Sequence, residues 1–219
     1  MGLNIEEKTF PNLGEDDFAP WREIPTTIIS DELNRFGAMA AAIKPVRAGS
    51  AFVGEALTVQ VIAADNAALH YAMTKAWPGA ALVVDAGAFT DSAVWGGILH
   101  RVGVKQGIVG VVVDGAVRDL AELRGSSVPV YARGVVPAGP HKGWGGNINT
   151  PIQCGGCPVQ PGDLVCGDDD GVVVVPRERM AALLPKCRVR IANEQKWERE
   201  IENGALTVDL LNLPPAEDF

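Results

Sequence analysis

The chain has 219 residues, 47% apolar and 21% charged, enough to bury a sizeable core as one large domain or two small ones. Nineteen Lys and Arg against 27 Asp and Glu give a net charge of −8, which opposes binding to a phosphate backbone, so no nucleic-acid partner is expected. The chain lacks the long uninterrupted apolar window of a membrane span and the basic-then-apolar start of a signal peptide, so no membrane partner is expected.

Residues 1–29 read as a polar N-terminal arm. Ser30 is a cap candidate for a short helix that carries Leu33 and Phe36 and ends near Gly37. GEALTVQVIA, from Gly54, alternates like a strand, and DNAALHYAMTKA reads as a helix stopped by Pro78-Gly79. ALVVDAG is a short buried strand, and a helix follows the glycines of AVWGGILHR. GIVGVVV is the next strand, DGAVRDLAELRG a loop leading into a short helix, and VPVYARG another strand. Residues 134–150 read as a long exposed loop. PIQCGGCPVQPGDLVCGDDDGVVVVP is strand and turn throughout, and residues 177–203 read as one or two helices. No repeat or linker divides the chain, which predicts an α/β single domain: a mixed sandwich with a core over 30–176 and a helical segment over 177–219. Four cysteines with no disulfide framework suit a reducing compartment, and the expected localisation is cytoplasmic.

Four charges, Asp114, Arg118, Asp119 and Glu122, crowd the exit of the apolar strand GIVGVVV. A strand-to-helix exit leaves a crevice where Arg118 offers a fork of donors to a carboxylate and Asp119 a hard oxygen to a divalent ion. That pair suits a 2-oxo acid. An ordinary alternative stands beside it, in which Asp119 and Glu122 form a capping box and Arg118 pairs with a surface carboxylate. The glycines of AVWGGILHR either bring free N–H groups close to an anion or simply pack a turn.

Other motifs carry less chemistry. Cys154-Gly-Gly-Cys157 lacks the further ligands of a zinc site and sits in a turn. Asp168-Asp169-Asp170-Gly171 reads as a hairpin turn. Asp85 and Asp114 are expected to brace loops, and His70 to pack within its helix. His100 is weakly placed near the crevice. His141 and Lys142 are open to substrate contact or plain solvation, and Trp144 to an oligomer interface.

The blocks PGAALVVDAG, WGGIL, GIVGVVVDGAVRD, PVYARG and PVQPGDLVCGDDDGVVVVP, in this order, resemble one family across about residues 30–205. It is the metal-dependent 4-hydroxy-4-methyl-2-oxoglutarate aldolase group, also active on 4-carboxy-4-hydroxy-2-oxoadipate, to which the regulator of ribonuclease activity A is related. The resemblance implies a β/β/α sandwich like the swivelling phosphohistidine domain and a homotrimer or homohexamer with sites at subunit interfaces. It implies that Asp119 holds Mg²⁺ or Mn²⁺, that Arg118 stabilises a pyruvate enolate, and that backbone N–H groups around Gly96, Gly97, Ile98 and Leu99 hold the substrate carboxylate. Glu122 completes the pattern as an assisting acid, and Glu194 or Glu198 of a neighbouring subunit is a further candidate. The pattern's first Asp falls at position 97, where this chain has Gly97. That departure is expected to weaken aldol cleavage more than oxaloacetate decarboxylation. The other function compatible with the resemblance is a non-catalytic regulator that docks to a larger protein.

Overall fold

A computed structural model describes residues 2–143 and 145–218. Trp144, an interface candidate, lies outside the described residues. The described residues form twelve strands: β1 Leu3–Ile5, β2 Lys44–Pro45, β3 Phe52–Val61, β4 Ala80–Asp85, β5 Ala93–Trp95, β6 Gly110–Val117, β7 Val130–Val135, β8 Gly146–Ile148, β9 Ile152–Cys154, β10 Cys157–Val159, β11 Leu164–Asp168 and β12 Gly171–Val175. The helices are α1 Glu15–Phe18, α2 Thr26–Glu32, α3 Ala67–Ala72, α4 Gly97–Lys105, α5 Leu120–Gly125, α6 Met180–Glu202 and α7 Thr207–Leu210.

The strands β3, β4, β6 and β7 run parallel and side by side. Both faces of this parallel unit are covered, which is why ALVV and GVVV are continuous apolar runs rather than alternating ones. Alternation still assigns the faces. Leu82, Val84, Val111 and Val113 join α3 and α4 in one core cluster, while Ala81, Val83 and Val112 join the β9–β10 hairpin in another. A third cluster lies where α2 and α6 cover β11 and β12, with Ile29, Leu33, Leu183 and Cys187 buried. The result is the expected mixed α/β sandwich.

Three local expectations change. The helix expected from Ser30 begins at Thr26, because Pro25 starts it and left-handed Asn34 and Arg35 end it. The strand at GIVGVVV does not stop at Val113. Val113 pairs with Ala132 and Ala116 with Gly134, so β6 carries one extra residue at Asp114-Gly115 and continues through this bulge to Val117. The loop expected over 134–150 contains β8, which pairs with β1 and β3.

Both alternative metal or redox motifs are turns. Cys154 and Cys157 face each other across left-handed Gly155 and Gly156, and burial raises both thiols, Cys157 to about 11. They stay protonated and unreactive at neutral pH. Asp168 accepts the Thr26 N–H at 2.8 Å and Asp169 the Gly49 N–H at 2.8 Å, so that acidic turn fastens loops. Asp114 likewise braces the hairpin, accepting the Gly155 N–H at 2.7 Å and pairing with Arg133. No helix among the described residues is long and apolar enough to cross a membrane.

Candidate functional site

The bulge directs the end of β6 toward β5. The Arg118 N–H donates to the Trp95 carbonyl at 3.0 Å, which sets Arg118 and Asp119 against Gly96 and Gly97 at the start of α4. Residues some twenty apart in sequence therefore meet because β5 and the last turn of β6 pair.

Asp119 occupies the cap position of α5 in a left-handed conformation, φ 61°, yet its side chain caps nothing there. Its Oδ2 instead accepts the Gly97 N–H at 2.9 Å and lies 3.8 Å from Arg118 Nε. The capping-box alternative is therefore not what forms. Left-handed backbone costs a non-glycine residue on the order of 1–2 kcal/mol, and such strain gathers where a side chain must be aimed.

Gly96 makes the approach possible. A Cβ at Gly96 would come within 2.7 Å of Asp119 Oδ2 and 2.9 Å of Arg118 Cγ. One at Gly139 would strike the Arg118 guanidinium from the other side.

Gly97 is more informative. A Cβ there would fall on the Glu122 carboxylate, which is ion-paired with Arg101. The volume that an Asp at 97 would take is filled by Glu122, and Glu122 does not line the neighbouring cavity. Gly97→Asp alone is therefore expected to set two carboxylates against each other and to cost about 1–2 kcal/mol. Thermal melts should register this as a fall of roughly 2–8 °C. Adding Glu122→Gln should restore most of it. Full stability in the single variant would show that Glu122 swings away freely.

The cavity holds about 130 Å³ and is lined by Gly96, Ile98, Leu99, Arg118 and Asp119 on one side, and by Asn66, His70, Pro140 and Lys142 on the other. The first α4 bond runs from the His100 N–H to the Gly96 carbonyl, so the preceding N–H groups have no helical acceptor. The Gly97 N–H, expected to hold a substrate carboxylate, is already given to Asp119; those of Ile98 and Leu99 are in the same first turn. His70 lines the cavity, and burial, then Lys142, lower its proton affinity below the usual histidine range. His100 is not at the cavity. It is 2% exposed under Trp95, whose Nε1–H donates to its Nδ1 at 3.4 Å, and burial keeps it neutral. Glu194 pairs with Arg190 on α6, and neither Glu194 nor Glu198 lines this cavity within one chain.

Of the cavity's far wall, reasoning from sequence left Lys142 open to substrate contact and expected His70 to pack in its helix, but missed the part played by Asn66 and Asp65. Asn66 donates to the Val94 carbonyl at 3.0 Å, and Asp65, fully buried, accepts the Ala67 and Gly143 N–H groups, each at 2.8 Å. The only local signal was the Asp-Asn pair preceding α3.

A crevice at the carboxyl end of parallel strands thus gathers an arginine, a carboxylate and a helix start around one small cavity, the usual place for a ligand site in an α/β protein. The chain belongs to the RraA-like family (Aldolase/RraA), whose pattern matches residues 26–174. It is 32% identical to a 4-hydroxy-4-methyl-2-oxoglutarate aldolase of Thermus thermophilus, over 70% of this chain and 93% of that one. It is 39% identical to a protein of Halalkalibacterium halodurans provisionally named for the same activity, over 88% and 92% of the two chains. Among solved structures, the RNA-processing inhibitor RraA from Thermus matches with a TM-score of 0.65 at 32% identity, over 70% of this chain and 93% of that one. An uncharacterised Pseudomonas syringae protein matches with a TM-score of 0.77 at 25% identity, over 92% and 99%.

Proposed function

We propose that this chain is a lyase that cleaves a 4-hydroxy-2-oxo acid to pyruvate and a second carbonyl compound, with Mg²⁺ or Mn²⁺ as cofactor. The convergence of Arg118, Asp119 and the α4 start on one small cavity carries this reading, and the relatives named for the activity support it.

Asp119 would hold the cation. It is the carboxylate at the cavity, and its strained backbone aims it there. Among the described residues no three His, Cys, Asp or Glu side chains gather to form a complete protein cage. One carboxylate, with water and substrate oxygens completing the shell, is an ordinary arrangement for Mg²⁺. When bound, the cation supplies Lewis-acid polarisation of the 2-oxo group.

The chain's own groups do the rest. The Ile98 and Leu99 N–H groups receive the substrate's 1-carboxylate at a helix start. Arg118 donates to the 2-oxo oxygen as it takes on enolate charge. The proton of the 4-hydroxyl leaves to a base, the C3–C4 bond breaks, and its electron pair passes to the pyruvyl half. A proton returned to C3 then yields pyruvate. His70, neutral and on the cavity wall, is the acceptor; Glu122, expected to assist, is drawn behind Gly97 by Arg101. Oxaloacetate decarboxylation reaches the same enolate without removing a hydroxyl proton. On this reading subunits assemble as a homotrimer or homohexamer, with Ile98, 78% exposed at the rim, meeting a neighbour that brings Glu194 or Glu198.

The test is pyruvate release from 4-hydroxy-4-methyl-2-oxoglutarate and from oxaloacetate. Release is expected with Mg²⁺, and chelation is expected to abolish it. A folded protein that turns over neither with either ion would leave the docking regulator as the better reading.

A further inference from the structure

A second cavity, of about 340 Å³ against about 130 Å³ for the crevice, opens beside the start of β3. Its volume is in the range of small-molecule sites. The two cavities share no residue. Phe52, on the wall of the second, opens β3, and its ring lies over Gly110, where β6 begins and where a Cβ would strike it. From there β6 runs for eight residues, about 25 Å, before it delivers Arg118 and Asp119 to the crevice. The second cavity therefore sits at the opposite end of the sheet.

Most of its wall is apolar. Trp21 is 2% exposed, and Ile24, Phe52 and Val53 are buried beside it. Cys166 is also on the wall. Burial, and then the charge of Asp168, hold its thiol above the usual range, so it presents a neutral surface and no nucleophile.

The charges that remain are negative. Asp168 is half-buried, its Oδ2 accepting the Thr26 N–H at 2.8 Å and its Oδ1 the Thr26 hydroxyl at 2.7 Å and the Asp170 N–H at 2.9 Å. Those three donors are neutral. They fix the carboxylate in place, leave its charge uncancelled and leave one of its acceptor positions open. Glu23 is exposed at the mouth. Among the described residues neither Asp168 nor Glu23 forms a salt bridge. Arg22, the cation on the lining, is held by Glu15 through both terminal nitrogens. The crevice has the opposite character, with Arg118 and Lys142 around it. A 2-oxo acid entering the second cavity would meet like charge. An ammonium would donate to Asp168, and the faces of Trp21 and Phe52 favour the same charge. A ring attached to that ammonium would cover the apolar wall.

We infer that this cavity is a second ligand site, which binds a small ring-bearing ammonium compound with its amine on Asp168 and its ring against Trp21 and Phe52. The inference does not depend on the lyase reading, because the site shares no group with the crevice.

Calorimetry on the whole protein compares tryptamine with 3-indolepropionate, which has the same ring and chain but a carboxylate in place of the ammonium. Tryptamine is expected to bind with a dissociation constant of about 1 mM or below, the strength open to a ligand of its size. The propionate should bind at least about 10-fold more weakly, since one charge-assisted hydrogen bond is replaced by repulsion. Ala51→Trp fills the cavity from an exposed position on its lining and should abolish tryptamine binding with little change in melting temperature. Asp168→Asn keeps an acceptor for Thr26, loses the charge and should weaken tryptamine about 10-fold. Glu23→Gln, at the exposed mouth, should weaken it about two- to threefold. Equal affinity for the two probes, no detectable binding of tryptamine, or undiminished affinity in Ala51→Trp overturns the inference. Should Asp168→Asn fail to fold, the two variants at exposed positions decide the outcome.

Discussion

Arg118→Ala is expected to lower kcat for pyruvate release about 10²–10³-fold, the usual effect of removing one preorganised donor to a developing oxyanion. The loss should appear in kcat more than in KM, because the charge that Arg118 meets grows as the enolate forms. Arg118→Lys should recover little. The guanidinium presents a planar fork between Gly96 and Gly139, whereas an ammonium is a single point charge on a flexible stem. Folding should be almost untouched. Arg118 is partly exposed, and its only ion pair among the described residues, with Asp119, is long at 3.8 Å. Steady-state kinetics beside a urea melt separates the two effects. A variant that keeps most of its turnover would remove Arg118 from the chemistry and, with it, the main support for an enolate mechanism.

That prediction depends on a convergence only partly legible in the amino-acid order. The parallel strands were readable because burial on both faces demands long apolar β-branched runs, as in Ala81–Val84 and Val111–Val113. The bulge at Asp114-Gly115 was not, because an extra residue in a ladder is defined by what the partner strand does. Asp119 and Glu122 looked locally like a capping box, and local spacing favoured that reading. A tertiary donor, the Gly97 N–H, took Asp119, and Arg101 took Glu122. Gly97 read as a missing carboxylate, whereas the space beside it is occupied by another. The Asp65–Gly143 clamp spans 78 residues and has no periodic signature at all. What the ordered blocks conveyed was the family and its crevice; what they could not convey were contacts made by single polar side chains across the fold.

Arg177→Ala is expected to be the costliest single change in the scaffold, about 3 kcal/mol of folding stability. Glu55, in the middle of β3, is wholly buried, a position its alternating neighbours would assign to an apolar residue. Its Oε2 accepts the Trp77 Nε1–H at 2.9 Å and its Oε1 the Leu13 N–H at 3.3 Å, while Arg177 forms the close ion pair. Arg177 also donates to the Pro11 carbonyl at 2.8 Å and the Gly162 carbonyl at 3.1 Å, so it ties residues 10–13, β3 and the turn before β11 together. Removing it leaves a buried carboxylate with Lys8, at 3.9 Å, as its remaining cation. The penalty is that of an uncompensated charge rather than of the lost contact, and Lys8 keeps it toward the lower end of the usual range. Urea unfolding should show a lower midpoint with an unchanged slope. The double variant Glu55→Gln/Arg177→Met should regain much of the loss, because it removes both charges, retains an acceptor for Trp77 and replaces the guanidinium stem with an apolar one. A cost below about 1 kcal/mol for Arg177→Ala would overturn this account and mean that Lys8, by closer approach, compensates the Glu55 carboxylate on its own.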